Sequence, residues 1–120
     1  MDISKTIATL KQDPEFAENV GMVLIHNGTV RGWSRGDHSP VSQIEVMADQ
    51  AKVEQIRGEI EQLEGIFKVV VEAHSGVMQP GDDLLFLIVA GDIRENVKPA
   101  LALLLDRIKA EAISKNEICK

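Results

Sequence analysis

The run of apolar residues at 84–90, LLFLIVA, constrains the fold more than any other feature of the sequence. It is far too short to cross a bilayer, and it lacks the polar alternation of a strand that has one face in water. We therefore predict a central strand at residues 83–90 that is covered on both faces. A second run, at 66–73, is rich in β-branched residues and predicts another strand, and Pro80-Gly81-Asp82 predicts the turn that leads into the central one.

Two segments before these strands have the apolar spacing of helices that bury one side. Asp2 can cap a short helix that places Ile3, Ile7 and Leu10 on one side, and Asp13-Pro14 ends it. A longer helix is predicted at residues 49–63. Its buried stripe comprises Val53, Ile56, Ile60 and Leu63, and Gly65 suits the position after its end.

The last predicted helix runs to about Ser114. Its apolar side comprises Val97, Leu101, Leu104 or Leu105, Ile108 and Ala112. Its start has two interpretations. Asp92 followed by Glu95 resembles a capping box, whereas Asn96 followed by Pro99 predicts a later start.

The remaining β signals lie before residue 48. Residues 20–26 favour a strand, and Asn27-Gly28 then predicts a hairpin turn into a return strand through Trp33. Residues 34–40 predict a polar, mobile loop, and residues 41–47 another strand. The predicted elements indicate one α+β domain over residues 1–120, in which helices cover one face of a mainly antiparallel or mixed sheet.

Composition excludes several classes of function. The net charge of -6 and the pI of about 5.0 disfavour a general nucleic-acid binder, which needs a basic face. The one cysteine, Cys119, cannot form an internal disulfide, and no Cys/His spacing indicates a metal site. The N-terminal segment lacks the apolar core of a signal peptide. We therefore expect a cytoplasmic protein without metal or cofactor.

Four basic residues are the candidates for a site. Arg31 follows the predicted hairpin, Arg94 lies in the first turn of the last helix, and Lys109 and Lys115 lie near its end. A helix N-terminus favours anions, and the Lys109 stem can cover apolar surface while its amine reaches a cleft. The alternative is that all four are solvated charges. The histidines, His26, His38 and His74, share no spacing, and we interpret them as surface or strand-end residues.

The order and spacing of several short motifs resemble those of the large, catalytic subunit of molybdopterin synthase. The segment at 21–31, GMVLIHNGTVR, is similar to the early strand of that family, which ends in Gly-x-Val-Arg. Further matches follow in order: Gly36-Asp37, Ile44-Glu45, Gly76, Pro80-Gly81-Asp82-Asp83, Arg94, and Leu105-Asp106 before Lys109.

The resemblance implies a fold of the family's α/β hammerhead type and a role in molybdenum cofactor biosynthesis. The family's large subunit transfers sulfur from a thiocarboxylated, ubiquitin-like small subunit to cyclic pyranopterin monophosphate, and it forms a homodimer within a heterotetramer. By resemblance, Lys109 and Lys115 are the catalytic lysines, and Arg31 and Arg94 bind the substrate phosphate, which bidentate guanidinium groups suit.

The sequence departs from the family in its C-terminal motif. The family has Lys-x-Arg-Ala-Pro-x-Trp-Lys, whereas residues 109–115 read KAEAISK, one residue shorter, with Glu111 in place of the Arg. Ile93 stands where the family has a His before Arg94. Three hypotheses remain: a divergent sulfur-transfer enzyme, a non-catalytic binding or regulatory module of the same fold, and a structural homodimer. Convergence of the basic side chains in one pocket would favour the first.

Overall fold

The computed structural model describes the backbone of residues 1–119 and the side chains of residues 1–117. Its helices, in chain order, are α1 (Ile3–Lys11), α2 (Phe16–Asn19), α3 (Gln50–Glu61) and α4 (Arg94–Arg107), and a π-helical turn (Ile108–Ala112) continues α4. Its strands are β1 (Met22–Thr29), β2 (Val41–Ala48), β3 (Ile66–Ala73), β4 (Gly76–Met78), β5 (Asp83–Gly91) and β6 (Ile113–Cys119).

The apolar run at 84–90 lies in β5, the middle strand of an antiparallel sheet with the order β1-β5-β3. Leu85, Leu87 and Val89 project into the main core, and the side chains between them alternate to the other face. Every residue of the run is buried. The prediction of a central strand covered on both faces is therefore confirmed.

A second antiparallel sheet, with the order β4-β2-β6, shares the core of the first. Its inner face contributes Val41, Ile44 and Val46, each less than 5% exposed. Helices α3 and α4 pack against the first sheet, and their buried residues are Val53, Ile56, Ile60, Val97, Ala100 and Leu104. This arrangement confirms the predicted α+β class with antiparallel sheets and helices.

Helices α1 and α3 both begin with an aspartate N-cap. The side chain of Asp2 accepts a hydrogen bond from the Lys5 backbone N–H at 3.0 Å, and that of Asp49 accepts one from the Lys52 N–H at 3.1 Å. Each carboxylate satisfies an N–H that has no partner within the helix. Helix α3 ends earlier than predicted, and Leu63 is 41% exposed, so its assignment to the buried stripe was wrong.

The predicted hairpin turn at Asn27-Gly28 is wrong. Strand β1 continues through both residues, which pair with Phe86 and Leu85 of β5. Neither residue has the positive φ that a tight hairpin turn requires. The long apolar β5 supplies a partner along the whole of β1, and Asn27 Nδ2 also donates to Asp83 Oδ1 at 3.1 Å.

The last helical segment ends at Ala112, two residues before the predicted end near Ser114, and the strand after it was not predicted. Helix α4 ends at Arg107, the π-helical turn follows, and the chain then enters β6 at Ile113. Pairing with β2, from Ile113 opposite Ala48 to Cys119 opposite Val41, overrides the helical pattern. Helix α4 starts at Arg94, nearer the first interpretation. Asp92 Oδ1 accepts hydrogen bonds from the Ile93 N–H and from Asn96 Nδ2, and no side chain caps the helix.

Candidate functional site

A cavity of about 190 Å³ lies where the end of β1 meets the π-helical turn and β6. Three of the four basic residues selected from the sequence line it, namely Arg31, Lys109 and Lys115. The other lining residues are His26, Gly28, Thr29, Val30, Ile44, Leu84, Leu85 and Glu117. The cavity therefore has an apolar floor and a strongly basic rim.

Arg31 is anchored on both sides by backbone hydrogen bonds. Val30 donates its N–H to the Asp82 carbonyl at 3.0 Å and accepts from the Gly81 N–H at 2.9 Å. On the other side, Gly32 accepts from the Val41 N–H at 3.0 Å. The Pro80-Gly81-Asp82 turn, which allows Gly81 a φ of 94°, thereby fixes where the Arg31 side chain begins.

The unpredicted β6 brings Lys115 to the cavity. Lys115 lies opposite Val46 and Glu117 opposite Ile44, so both project from the same face of the second sheet as these buried residues. Had the helix continued, Lys109 and Lys115 would be rotated by roughly 240° about its axis. The change from π-helical turn to strand lets both lysines line one cavity.

The cations around Lys115 disfavour the protonated form of its amine. Partial burial of its amine lowers the pKa of Lys115, and Lys109, Arg31 and Arg35 lower it further, whereas Glu117 acts in the opposite direction. Lys115 as a residue remains exposed, so water screens these interactions in part. A cluster of this kind is relieved when an anion binds.

His26 is a cavity residue that the sequence interpretation missed. Its Nε2 is shielded from solvent and has no hydrogen-bond partner among the described residues. Burial, and then the charge of Lys109, lowers the pKa of His26, so the imidazole is neutral at physiological pH. In the structure the alternate residues Leu24, His26, Gly28 and Val30 turn inward, a register that the predicted turn at Asn27-Gly28 concealed.

The other histidines lie outside this cavity. His74 Nε2 is 2.8 Å from Glu72 Oε2, whose pKa is lowered by His74 and by the amine of Met1. The His38 ring stacks on Trp33. Among the described side chains, no cluster of His, Cys, Asp and Glu is arranged to hold a metal ion.

Arg94 does not line the cavity. It borders a separate depression with Gly21, Met22 and Asp92, beside the first residue of β1, whereas Arg31 follows the last. The 8 residues of β1 span roughly 25 Å. The Arg94 side chain is 78% exposed, and its Nε is 3.2 Å from Glu95 Oε1. Within one chain, then, the structure brings together three of the four predicted residues.

Glu111, which replaces an arginine of the family motif, does not oppose an anion in the cavity. Its carboxylate accepts from Arg107 Nε at 2.8 Å and lies 3.4 Å from Lys52 Nζ. These two cations, Arg107 first, hold the pKa of Glu111 below its usual range. The substitution therefore belongs to the surface between α3 and α4.

Comparisons with known proteins relate the chain to one family. The family model described as MoaE protein matches residues 1–111. A molybdopterin synthase from Staphylococcus aureus has a similar structure, with a TM-score of 0.72 and 26% identity over 84% of this chain and 76% of that one. A sequence search of curated proteins found no match.

Two more distant structures share the fold. A molybdopterin cofactor biosynthesis protein E from Burkholderia multivorans has a TM-score of 0.74 and 20% identity, over 100% of this chain and 82% of that one. A complex of subunits 1 and 2 of the Helicobacter pylori molybdopterin-converting factor has a TM-score of 0.68 and 16% identity, over 99% of this chain and 80% of that one. No helix in the described part of the chain is long and apolar enough to cross a membrane. Since the family match covers most of its length, the chain belongs to the MoaE family, the catalytic subunit of molybdopterin synthase, and has a role in molybdenum cofactor biosynthesis.

Proposed function

We propose that this chain transfers sulfur from a thiocarboxylated, ubiquitin-like small subunit to cyclic pyranopterin monophosphate in the cytoplasm. The observation that carries the proposal is the convergence of Arg31, Lys109 and Lys115 on one cavity. Solvated charges with no common function have no reason to meet over an apolar floor. The proposed substrate and the thiocarboxylate are both anionic, as this basic rim requires.

The proposed roles follow from the chemistry of each side chain. Arg31 binds the substrate phosphate, because a guanidinium group can donate two parallel hydrogen bonds to phosphate oxygens. Lys115 adds a second positive charge on the same rim. Lys109 is the main catalytic amine, which stabilises negative charge on the thiocarboxylate carbonyl and transfers protons during the reaction. Neutral His26 completes the wall beside Lys109.

We also propose a small-subunit partner and a homodimer. The Helicobacter pylori complex of two subunits supports the partner. Arg94 lies at the far end of β1 from the cavity, so it could contact the substrate of this site only if a second copy of the chain supplied it. The proposed assembly is thus a homodimer that binds two small subunits.

The test is a sulfur-transfer assay with thiocarboxylated small subunit and cyclic pyranopterin monophosphate. We expect product from the wild-type chain and a loss of at least about 100-fold in the Lys109→Ala variant, since a positioned proton-transfer group contributes that much. Lys98→Ala is the matched control, because Lys98 is an exposed lysine outside the cavity. Equal loss in both variants would refute the role of Lys109.

A second candidate function is a binding module without turnover. It is favoured by the shortened motif at 109–115, which lacks the arginine and tryptophan of the family pattern. In the same assay, a wild-type chain that binds the small subunit but yields no product would establish this function and exclude the first.

A further inference from the structure

We propose that Trp33 is a positioning residue that holds the Arg31 guanidinium ready for an anionic ligand. The inference deepens the proposed function and rests on the role that it gives to Arg31. Trp33 does not line the cavity, and it is the one tryptophan of the chain. Trp33 is 42% exposed, so its side chain is only partly buried.

The contact between the two side chains is direct. The Arg31 Cζ lies 5.0 Å from the centroid of the Trp33 ring, within the range of a cation–π interaction. Arg31 Nε also donates a long hydrogen bond, 3.4 Å, to the Trp33 carbonyl oxygen. Both contacts leave the terminal nitrogens of the guanidinium available to a ligand. Among the described side chains, no carboxylate forms an ion pair with Arg31.

The Trp33 ring is itself held in place by the loop that follows it. The His38 ring stacks on it with centroids 4.6 Å apart and planes 11° from parallel. His38 has a φ of 60°, a left-handed conformation that costs energy for a residue with a side chain. The Asp37 side chain stabilises this turn by accepting the Ser39 N–H at 2.9 Å.

The loop is also closed at its base and tied to the cavity. Trp33 forms a β-bridge with Pro40, and the Ser34 N–H donates to the Ser39 carbonyl at 2.8 Å. Ser34 Oγ donates to Glu117 Oε1 at 3.2 Å, and Glu117 lines the cavity. Residues 33–40 thus form a closed loop that connects Trp33 to Glu117 at the cavity.

The benefit of this support is preorganisation. A free arginine side chain loses rotamer entropy when it binds phosphate, and a guanidinium already held on an aromatic ring loses less. From the usual strength of an exposed cation–π contact, we expect Trp33 to strengthen phosphate binding about two- to fivefold.

The experiment follows the Arg31 Nε–H signal by NMR in wild type, Trp33→Leu, Trp33→Phe and the control Leu103→Ala, which changes an exposed apolar residue of α4 outside the cavity. Without ligand, we expect the indole ring to shift the wild-type Arg31 signals away from random-coil positions. Trp33→Leu should remove that shift, Trp33→Phe should keep part of it, and Leu103→Ala should leave it unchanged.

Titration with inorganic phosphate is the second readout. We expect Trp33→Leu to raise the dissociation constant about two- to fivefold, while Leu103→Ala leaves it unchanged. Random-coil Arg31 signals in the wild type, or equal dissociation constants in wild type and Trp33→Leu, would overturn the inference. If phosphate left the wild-type Arg31 signal unchanged, the anion site of the proposed function would be refuted. The ligand-free spectra would still show whether Trp33 holds Arg31. If Trp33→Leu does not fold, the comparison of the wild-type and Trp33→Phe spectra tests the inference, because equal Arg31 shifts in these two proteins would overturn it.

Discussion

Two groups of cations in this chain differ in how their charge is compensated. On the surface of α3, Arg57 lies 2.7 Å from both Glu54 and Glu61, and at the end of α4 Arg107 pairs with Glu111 and Glu59. At the cavity, Arg31, Lys109 and Lys115 share a single lining carboxylate, Glu117. The first group supports the fold, whereas the second keeps an excess of positive charge that an anionic ligand can compensate.

The sharpest test of this comparison removes one arginine from each group. We expect Arg31→Ala to weaken binding of the proposed pterin substrate about 10- to 100-fold, because charge-assisted hydrogen bonds contribute about 1.5–3 kcal/mol. Arg107→Ala should leave that affinity within about twofold, since its partners are surface carboxylates. Isothermal titration calorimetry measures both, and equal affinities in the two variants would remove the distinction between the groups.

The second prediction concerns stability. Arg57 and Glu61 are partly buried, and Glu61 Oε2 also accepts the Val69 N–H at 3.0 Å on the edge strand β3. We expect Arg57→Ala to lower the free energy of unfolding by about 1 kcal/mol with sulfur transfer unchanged. Urea unfolding followed by circular dichroism gives the first quantity. A variant of normal stability with impaired sulfur transfer would contradict the structural role.

A third prediction uses His26. Because its pKa is lowered in the folded chain, the unfolded chain binds more protons at this side chain once the pH falls below about 6.5. The free energy of unfolding should therefore decrease from that pH downward, until the lowered pKa is passed. His26→Phe should flatten this part of the profile, and urea unfolding at several pH values measures it. An unchanged slope would show that the folded state does not depress the pKa.

The smallest effect is expected at Lys115, which remains exposed. Its pKa is lowered by partial burial and by Lys109 and Arg31, so stability should rise as the pH increases from the lowered pKa towards about 10.5. Lys115→Met should reduce this rise, and Lys98→Met, which changes an exposed lysine of α4, should not. Thermal unfolding at pH 8 to 10 compares them. Identical profiles in both variants would mean that the rim cations do not interact.

Sequence patterns predicted the elements whose cause is local. The apolar run at 84–90 had to be buried on both sides, and Asp2 and Asp49 cap the helices that follow them. The wrong hairpin turn and the missed strand β6 both involve partners distant in the sequence. Asn27-Gly28 has the composition of a turn but pairs with β5, and β6 forms because β2 offers an open edge. Tertiary pairing overrides local propensity in both cases.

The candidate site followed the same rule. Arg31 was selected because it follows the predicted hairpin, and Lys109 because it lies beside the buried stripe of a helix. Lys115 was selected as a basic residue near the end of that helix, and its approach to the cavity depends on β6. Both remaining differences come from β1, which runs straight through the turn predicted at Asn27-Gly28. The continuous strand places His26 at the cavity and separates the cavity from the depression that Arg94 borders.

The π-helical turn at 108–112 sets how this part of the chain tolerates changes in length. A π turn contains about one residue more than an α turn, so deleting a residue within it would restore an α-helix. The remaining four residues would turn the chain through nearly the same angle as the five of the π turn, so the residues that follow would keep their orientation. Strand β6 would stay in register with β2, and Lys115 would stay at the cavity. The chain should therefore accept a change of one residue in length at 108–112, which is the difference between the motif at 109–115 and that of the family.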